Sequence, residues 1–185
     1  MELAKEKYYT YTDYLTWGDE RRYELIEGVP FAMSPAPSWI HQKITGEIFR
    51  QLANFLDGKP CEVFTAPFDV RLNAEEDDDT VVQPDITIVC DKSKLEDKGG
   101  CKGTPDMLIE IVSPASAKRD RIEKLQLYQR AGVREYWIVD PDTTSVQVYI
   151  LKDDDYIITV YKDAASVPVR VLEGCEINLA AVFKK

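Results

Sequence analysis

One acid inside an apolar strand constrains this chain more than any other feature. The run Pro105-Asp106-Met107-Leu108-Ile109-Glu110-Ile111-Val112-Ser113 has the composition of a buried β-strand, and Glu110 sits near its centre. A carboxylate taken out of water there is costly unless it is paired or binds a metal. Two other residues stand where they can share that site. Asp85 heads an earlier strand, Gln83-Pro84-Asp85-Ile86-Thr87-Ile88-Val89, and Lys124 lies on the helix that follows Glu110.

At 185 residues the chain is expected to form a single domain spanning 1–185. A hydrophobic content of 44% is enough for a real core. The net charge of -10 argues against broad, nonspecific nucleic-acid binding and leaves room for a local basic surface. Cys61, Cys90, Cys101 and Cys175 are dispersed with no C-x-x-C pair. A zinc site is therefore not expected, and reduced thiols in a cytoplasmic chain are the simpler expectation. The first seven residues lack the apolar core of a signal peptide, and no stretch is long enough to span a bilayer, so no membrane partner is expected. His41 is the only histidine. That excludes sites needing two histidines from one chain, such as the H-E-x-x-H proteases.

The pattern along the chain alternates helix and strand. Thr12 is the expected N-cap of a short helix through Trp17. Residues 22–28 and 29–33 form two strands about Gly28, and 34–38 are a stiff connector. Ser38 caps a helix to about Leu56, on which Ile40, Ile44, Ile48, Leu52 and Phe55 keep helical spacing. A strand from Glu62 to Leu72 leads into a turn, 73–80, whose acids at 75–79 repel one another as a solvated tip. Calcium-loop spacing is missing there. Strand 83–90, a polar loop to Thr104 and strand 106–112 come next. The following helix has Pro114 in its first turn and Gly132 at its end. Strand 133–140, a hairpin of 145–151 with 156–161, and a last strand near 167–172 complete the chain. The predicted fold is α/β: one mixed central sheet flanked by helices, with extra strands at the N- and C-terminal ends.

Asp85 and Glu110 are candidate ligands for a magnesium or manganese ion, with water in the remaining positions. A lysine ammonium beside them orients the attacking water or stabilises charge on a phosphate. At about 100° per residue, Leu127, Tyr128 and Ala131 surround Lys124 on the helix surface, so this lysine falls in the apolar stripe. It must snorkel out or meet an anion. Lys118, Arg119 and Arg130 fall off the stripe, free to face a phosphate backbone.

The segments Gln83-Pro84-Asp85, Pro105 to Pro114, Arg119 to Leu125 and Gly132 to Pro141 resemble a bacterial restriction-endonuclease-like family, the Uma-type branch of the PD-(D/E)XK nuclease superfamily. Glu24-Leu25-Ile26-Glu27-Gly28, Met33-Ser34-Pro35 and His41-Gln42 are similar to its N-terminal pattern. The resemblance implies a restriction-endonuclease-like core and a metal-dependent DNA endonuclease. It implies Asp85 as the PD aspartate, Glu110 as the acid of the second element, and a metal contact from the Ile111 main-chain carbonyl. The usual lysine position, two residues after Glu110, is Val112. Members with a migrated lysine imply Lys124 in that role.

Each candidate has a plain structural counterpart. Asp85 and Asp106 both follow proline at strand starts, where aspartate commonly satisfies turn amides. Glu110 and Lys124 suffice as a buried ion pair without a metal. Glu24 is either a strand acid or a third carboxylate of the site, and His41 either caps and packs its helix or joins the catalytic group. The alternative function is a catalytically inactive binding module on the same fold. A homodimer suits the two strands of a DNA duplex.

Overall fold

The computed structural model describes residues 7–18, 22–33, 36–74, 77–96, 100–114 and 116–184. The first helix, α1 (Tyr11–Tyr14), starts two residues earlier than expected. Asp13 reaches back to the amide and hydroxyl of Thr10 at 2.9 and 3.1 Å, so Thr10 rather than Thr12 is the cap. Strands β1 (Tyr23–Ile26) and β2 (Val29–Ala32) turn on Glu27 and Gly28, both at positive φ. The Tyr8 ring lies where a Cβ on Gly28 would sit, which adds a second reason for glycine there. The connector at Ser34 and Pro35 lies outside the described residues. Helix α2 (Trp39–Leu56) begins as expected at Ser38, whose hydroxyl oxygen accepts the His41 amide at 3.2 Å.

Prolines divide what the apolar pattern joins. The expected strand 62–72 is β3 (Glu62–Thr65) and β4 (Val70–Arg71), separated at Pro67 after a cis bond. A proline has no amide to give a ladder. Pro84 likewise lies between β5 (Val81–Val82) and β6 (Ile86–Val89). The polar loop contains β7 (Leu95–Glu96) and β8 (Gly100–Lys102). Strand β9 (Met107–Ile111) carries Glu110. Ser113 and Ser116 then bond each other's amides in a turn, which leaves Pro114 outside the helix. A π-helical stretch, Arg119–Lys124, runs directly into α3 (Leu125–Arg130), and Gly132 follows at φ +81°. Next come β10 (Glu135–Asp140), β11 (Ser145–Lys152), β12 (Asp155–Lys162), β13 (Ser166–Pro168), β14 (Glu176–Asn178) and α4 (Leu179–Val182).

The expected mixed central sheet is present, and the described residues add another six-stranded sheet that holds the N-terminal strands. The N-terminal sheet comes first in the chain, with order β2-β1-β5-β4-β8-β7; the central sheet is the second, with order β12-β11-β10-β9-β6-β3; and β13 and β14 make a small third. The second sheet is mixed: β9 and β10 are parallel, while β9 pairs antiparallel with β6. One face packs on α2 and the C-terminal elements through Ile48, Leu52, Ile109, Trp137 and Val146. The other packs on α3 and the first sheet through Leu108, Tyr136, Leu127, Tyr128, Val70 and Val82.

Two more expectations are corrected. The acidic turn is not a wholly solvated tip: Asp78 clasps Arg71, and buried Asp79 accepts from Tyr8, Asn73 and Thr80. Glu75 and Glu76 lie outside the described residues. Nor are all four thiols reduced. Cys61 and Cys90 form a disulfide, while Cys101 and Cys175 are free and buried. The paired register Glu62↔Val89 brings the two cysteines face to face.

Candidate active site

The chain leaves the first sheet at Val82 and enters the second at Ile86, so Asp85 stands at the crossing between sheets. Its Oδ2 accepts the Ile111 amide at 2.8 Å. The side chain thereby continues the β6–β9 ladder past its last main-chain pair, Ile86↔Ile109. From the other side the His41 imidazole approaches the same Oδ2, with Nε2 at 3.2 Å. Burial would lower the His41 pKa, but the hydrogen bond and charge of Asp85 and the Ile111 carbonyl outweigh it and raise it above 6.5.

Glu110 points to the α3 side of its sheet. There Lys124 delivers its ammonium into a wholly buried space, the residue being 4% exposed. Nζ lies 2.7 Å from Glu110 Oε1 and 2.8 Å from Glu24 Oε1. The Tyr128 hydroxyl donates to the same Glu110 oxygen at 3.1 Å, and the Gln83 amide donates to Glu24 at 3.0 Å. A further acid completes the group: Asp120, buried, with Oδ1 3.8 Å from Lys124 Nζ. Burial alone would depress Lys124, but Glu110, Glu24 and Asp120 lift it well above the usual lysine range. Burial first, and then the neighbouring acids, push Glu110 and Asp120 upward against the pull of Lys124.

All the expected residues thus converge: Asp85, Glu110, Lys124, Glu24 and His41, with the Ile111 main chain between Asp85 and His41. Asp106 does not join them. It accepts the Cys90 amide and pairs with Arg134, a structural role. Val112 is core, in the cluster with Tyr128. Of the basic residues placed off the stripe, Arg130 pairs with Glu27 and Arg119 lies over the Phe31 ring. Asp120 was not anticipated. It stands four residues before Lys124, a spacing that puts both on one helix face, but its charged neighbours Arg119, Arg121 and Glu123 make the segment read as a solvated surface.

The donor set suits a hard cation. Three carboxylates, Glu110, Glu24 and Asp120, lie 2.7 to 3.8 Å from one ammonium, and Asp85 meets His41, so acids outnumber bases in the cluster. Asp85 Oδ1 and Glu110 Oε2 take no donor from the described residues. Among the described residues no group of three or more His, Cys, Asp or Glu side chains is arranged to hold a metal by itself. Two carboxylates and a carbonyl, with water completing the shell, are the mode in which magnesium is usually held.

Fold and site together define a restriction-endonuclease-like domain. The chain belongs to the Uma2 family, described as "putative restriction endonuclease", whose model matches residues 8–180. In overall structure it is similar to a protein of Anabaena variabilis described as "a putative nuclease belonging to DUF820". The TM-score is 0.75 at 22% identity, over 95% of this chain and 97% of that one. An uncharacterized protein of Synechocystis sp. is 25% identical over 154 residues, covering 81% of this chain and 78% of its own. No described helix is long and apolar enough to cross a membrane.

Proposed function

We propose that this protein is a metal-dependent endonuclease that hydrolyses phosphodiester bonds in DNA. The observation that carries the proposal is a lysine entering from the helix to meet the strand acid, while Val112 fills the usual lysine position. Asp85, Glu110 and the Ile111 carbonyl would hold magnesium or manganese. The ion would supply Lewis-acid polarisation of a phosphate oxygen and a more acidic water. The protein's own groups do the rest. Lys124, held protonated by Glu110 and Glu24, donates hydrogen bonds toward the attacking water and the charge that grows on the phosphate. Glu24 fixes the lysine from the side away from β9. His41 holds Asp85 Oδ2 in place and leaves Oδ1 to the ion. A dimer would offer one such site to each strand of a duplex.

The first test is calorimetric titration of magnesium and manganese into wild type and Asp85→Ala, with and without a DNA duplex and with thermal melting as the folding control. The expected result is binding in the wild type that the folded variant loses. Cleavage then decides the chemistry: Lys124→Ala should lower the rate about a hundredfold or more. A second reading is a silent binding module, favoured by the two carboxylates that already pair closely with Lys124. It wins if wild type binds no metal in either condition, or if the folded, metal-loaded protein cleaves no duplex, single-stranded or branched DNA.

A further inference from the structure

We propose that β12 is the edge through which two copies of this chain pair, antiparallel about a two-fold axis at Ile158. Strand β12 lies at the outside of the second sheet, with β11 on its inner side only. All eight of its residues stay in register with β11, from Lys152↔Asp155 to Ser145↔Lys162. It carries no proline and no bulge, and its charges stand only at its two ends. Its middle is apolar and open: Ile157, Ile158 and Val160 are 53%, 50% and 56% exposed. Long, flat, apolar edges are what soluble proteins avoid unless another strand covers them.

The main chain fixes which register a partner would take. The β11–β12 hairpin turns on Asp153 and Asp154, both at positive φ, so it is a two-residue turn closed by Lys152 and Asp155. Antiparallel ladders alternate. Asp155, Ile157, Thr159 and Tyr161 therefore bond inward to β11, while Tyr156, Ile158, Val160 and Lys162 aim their amides and carbonyls outward. A two-fold axis normal to the sheet keeps each residue on its own face, so outward groups meet outward groups.

With Ile158 on the axis, it faces its own copy. Tyr156 faces Val160 of the second copy, Ile157 faces Thr159, and Asp154 faces Lys162. These are β-branched and aromatic pairs flanked by opposite charges, the pairs that stabilise neighbouring strands. Asp154 and Lys162 make no ion pair within the described residues. Moving the axis to Thr159 would set Asp155 against Asp163 of the second copy. The strand is thus self-complementary in one register, and a second copy of this chain is the occupant it specifies. Two strands, β11 and β10, separate this edge from the strand of Glu110, so assembly and the candidate active site are independent.

Sedimentation of the full chain across the micromolar range tests the pairing. Wild type should sediment at twice the 21.1 kDa of one chain. Ile158→Lys should sediment as a monomer that still melts cooperatively and binds metal as the wild type does, and Ile122→Lys, exposed elsewhere, should stay dimeric. Asp154→Lys and Lys162→Asp should each weaken the dimer by about two- to fivefold, and the double swap should restore it. A wild type that is monomeric throughout, or a dimer that survives Ile158→Lys, overturns the proposal. Failure of the double swap to restore overturns the register.

Discussion

His41 reports on the site from a single proton. Burial pulls its pKa down; the Asp85 hydrogen bond and charge, the Ile111 carbonyl and the nearby Asp120 pull it up and prevail. A histidine raised on folding adds stability that is fully present below its unfolded pKa of about 6.5 and is lost as pH climbs through the folded value. Since it is the only histidine in the chain, its proton resonance can be followed without assignment. In metal-free buffer it should titrate above 6.5, and in Asp85→Asn lower than in wild type, because the Asp85 charge no longer opposes burial. The melting advantage of wild type over that variant should shrink as pH rises through the wild-type value. A wild-type imidazole that titrates below 6.5 would show that Asp85 does not hold it. At this scale most of the candidate site was legible. Glu110 announced itself as a charge in an apolar strand, and Lys124 as a charge in an apolar stripe. Asp120 was hidden because its neighbours Arg119, Arg121 and Glu123 make the segment look like an exposed face.

Helix α2 brings His41 to Asp85, and its start is set by Ser38. Ser38→Ala removes the acceptor for the His41 amide itself. The expected cost is about 1 kcal/mol in denaturant unfolding, together with a fall of the raised His41 pKa toward its ordinary value. An unchanged unfolding midpoint would mean that water replaces the cap fully. The π-helical stretch acts on the opposite wall. Its wide i→i+5 turn carries Asp120 and Lys124 inward together. The inward position of Lys124 was still readable from ordinary helical spacing, because Leu127, Tyr128 and Ala131, against which it was judged, lie in or just after the regular helix. Strand limits were less legible. Apolar residues recur through 62–72 on both sides of Pro67, while the chain passes there from one sheet to another.

The division into two sheets depends on pairings between distant strands, such as β4 with β8 and β1 with β5, which no local pattern encodes. The Cys61–Cys90 disulfide was invisible for the same reason: it follows from β3 lying against β6. A second buried acid shows how the whole molecule is tied together. Glu135, at the start of β10, is fully buried, and burial raises its pKa despite the donors around it. Its Oε1 accepts the Trp137 indole N–H at 2.7 Å, and its Oε2 accepts the Val171 amide at 2.8 Å. One carboxylate thus fastens the chain after β13 to the central sheet. Glu135→Ala leaves both donors without an acceptor in a dry place, and the expected loss is about 3 kcal/mol in urea unfolding. The loss should be local as well as global. The Val171 amide should exchange with solvent much faster in the variant, while amides of β6 and β9, beside the candidate active site, keep the order of protection they have in wild type. Glu135→Gln should recover part of the stability, since its single carbonyl oxygen can serve one donor and not both. If Val171 stays protected in Glu135→Ala, the C-terminal hairpin is held by its apolar contacts with α2 alone, through Val167, Ile177 and Leu179, and the carboxylate is a tolerated burial rather than a fastening.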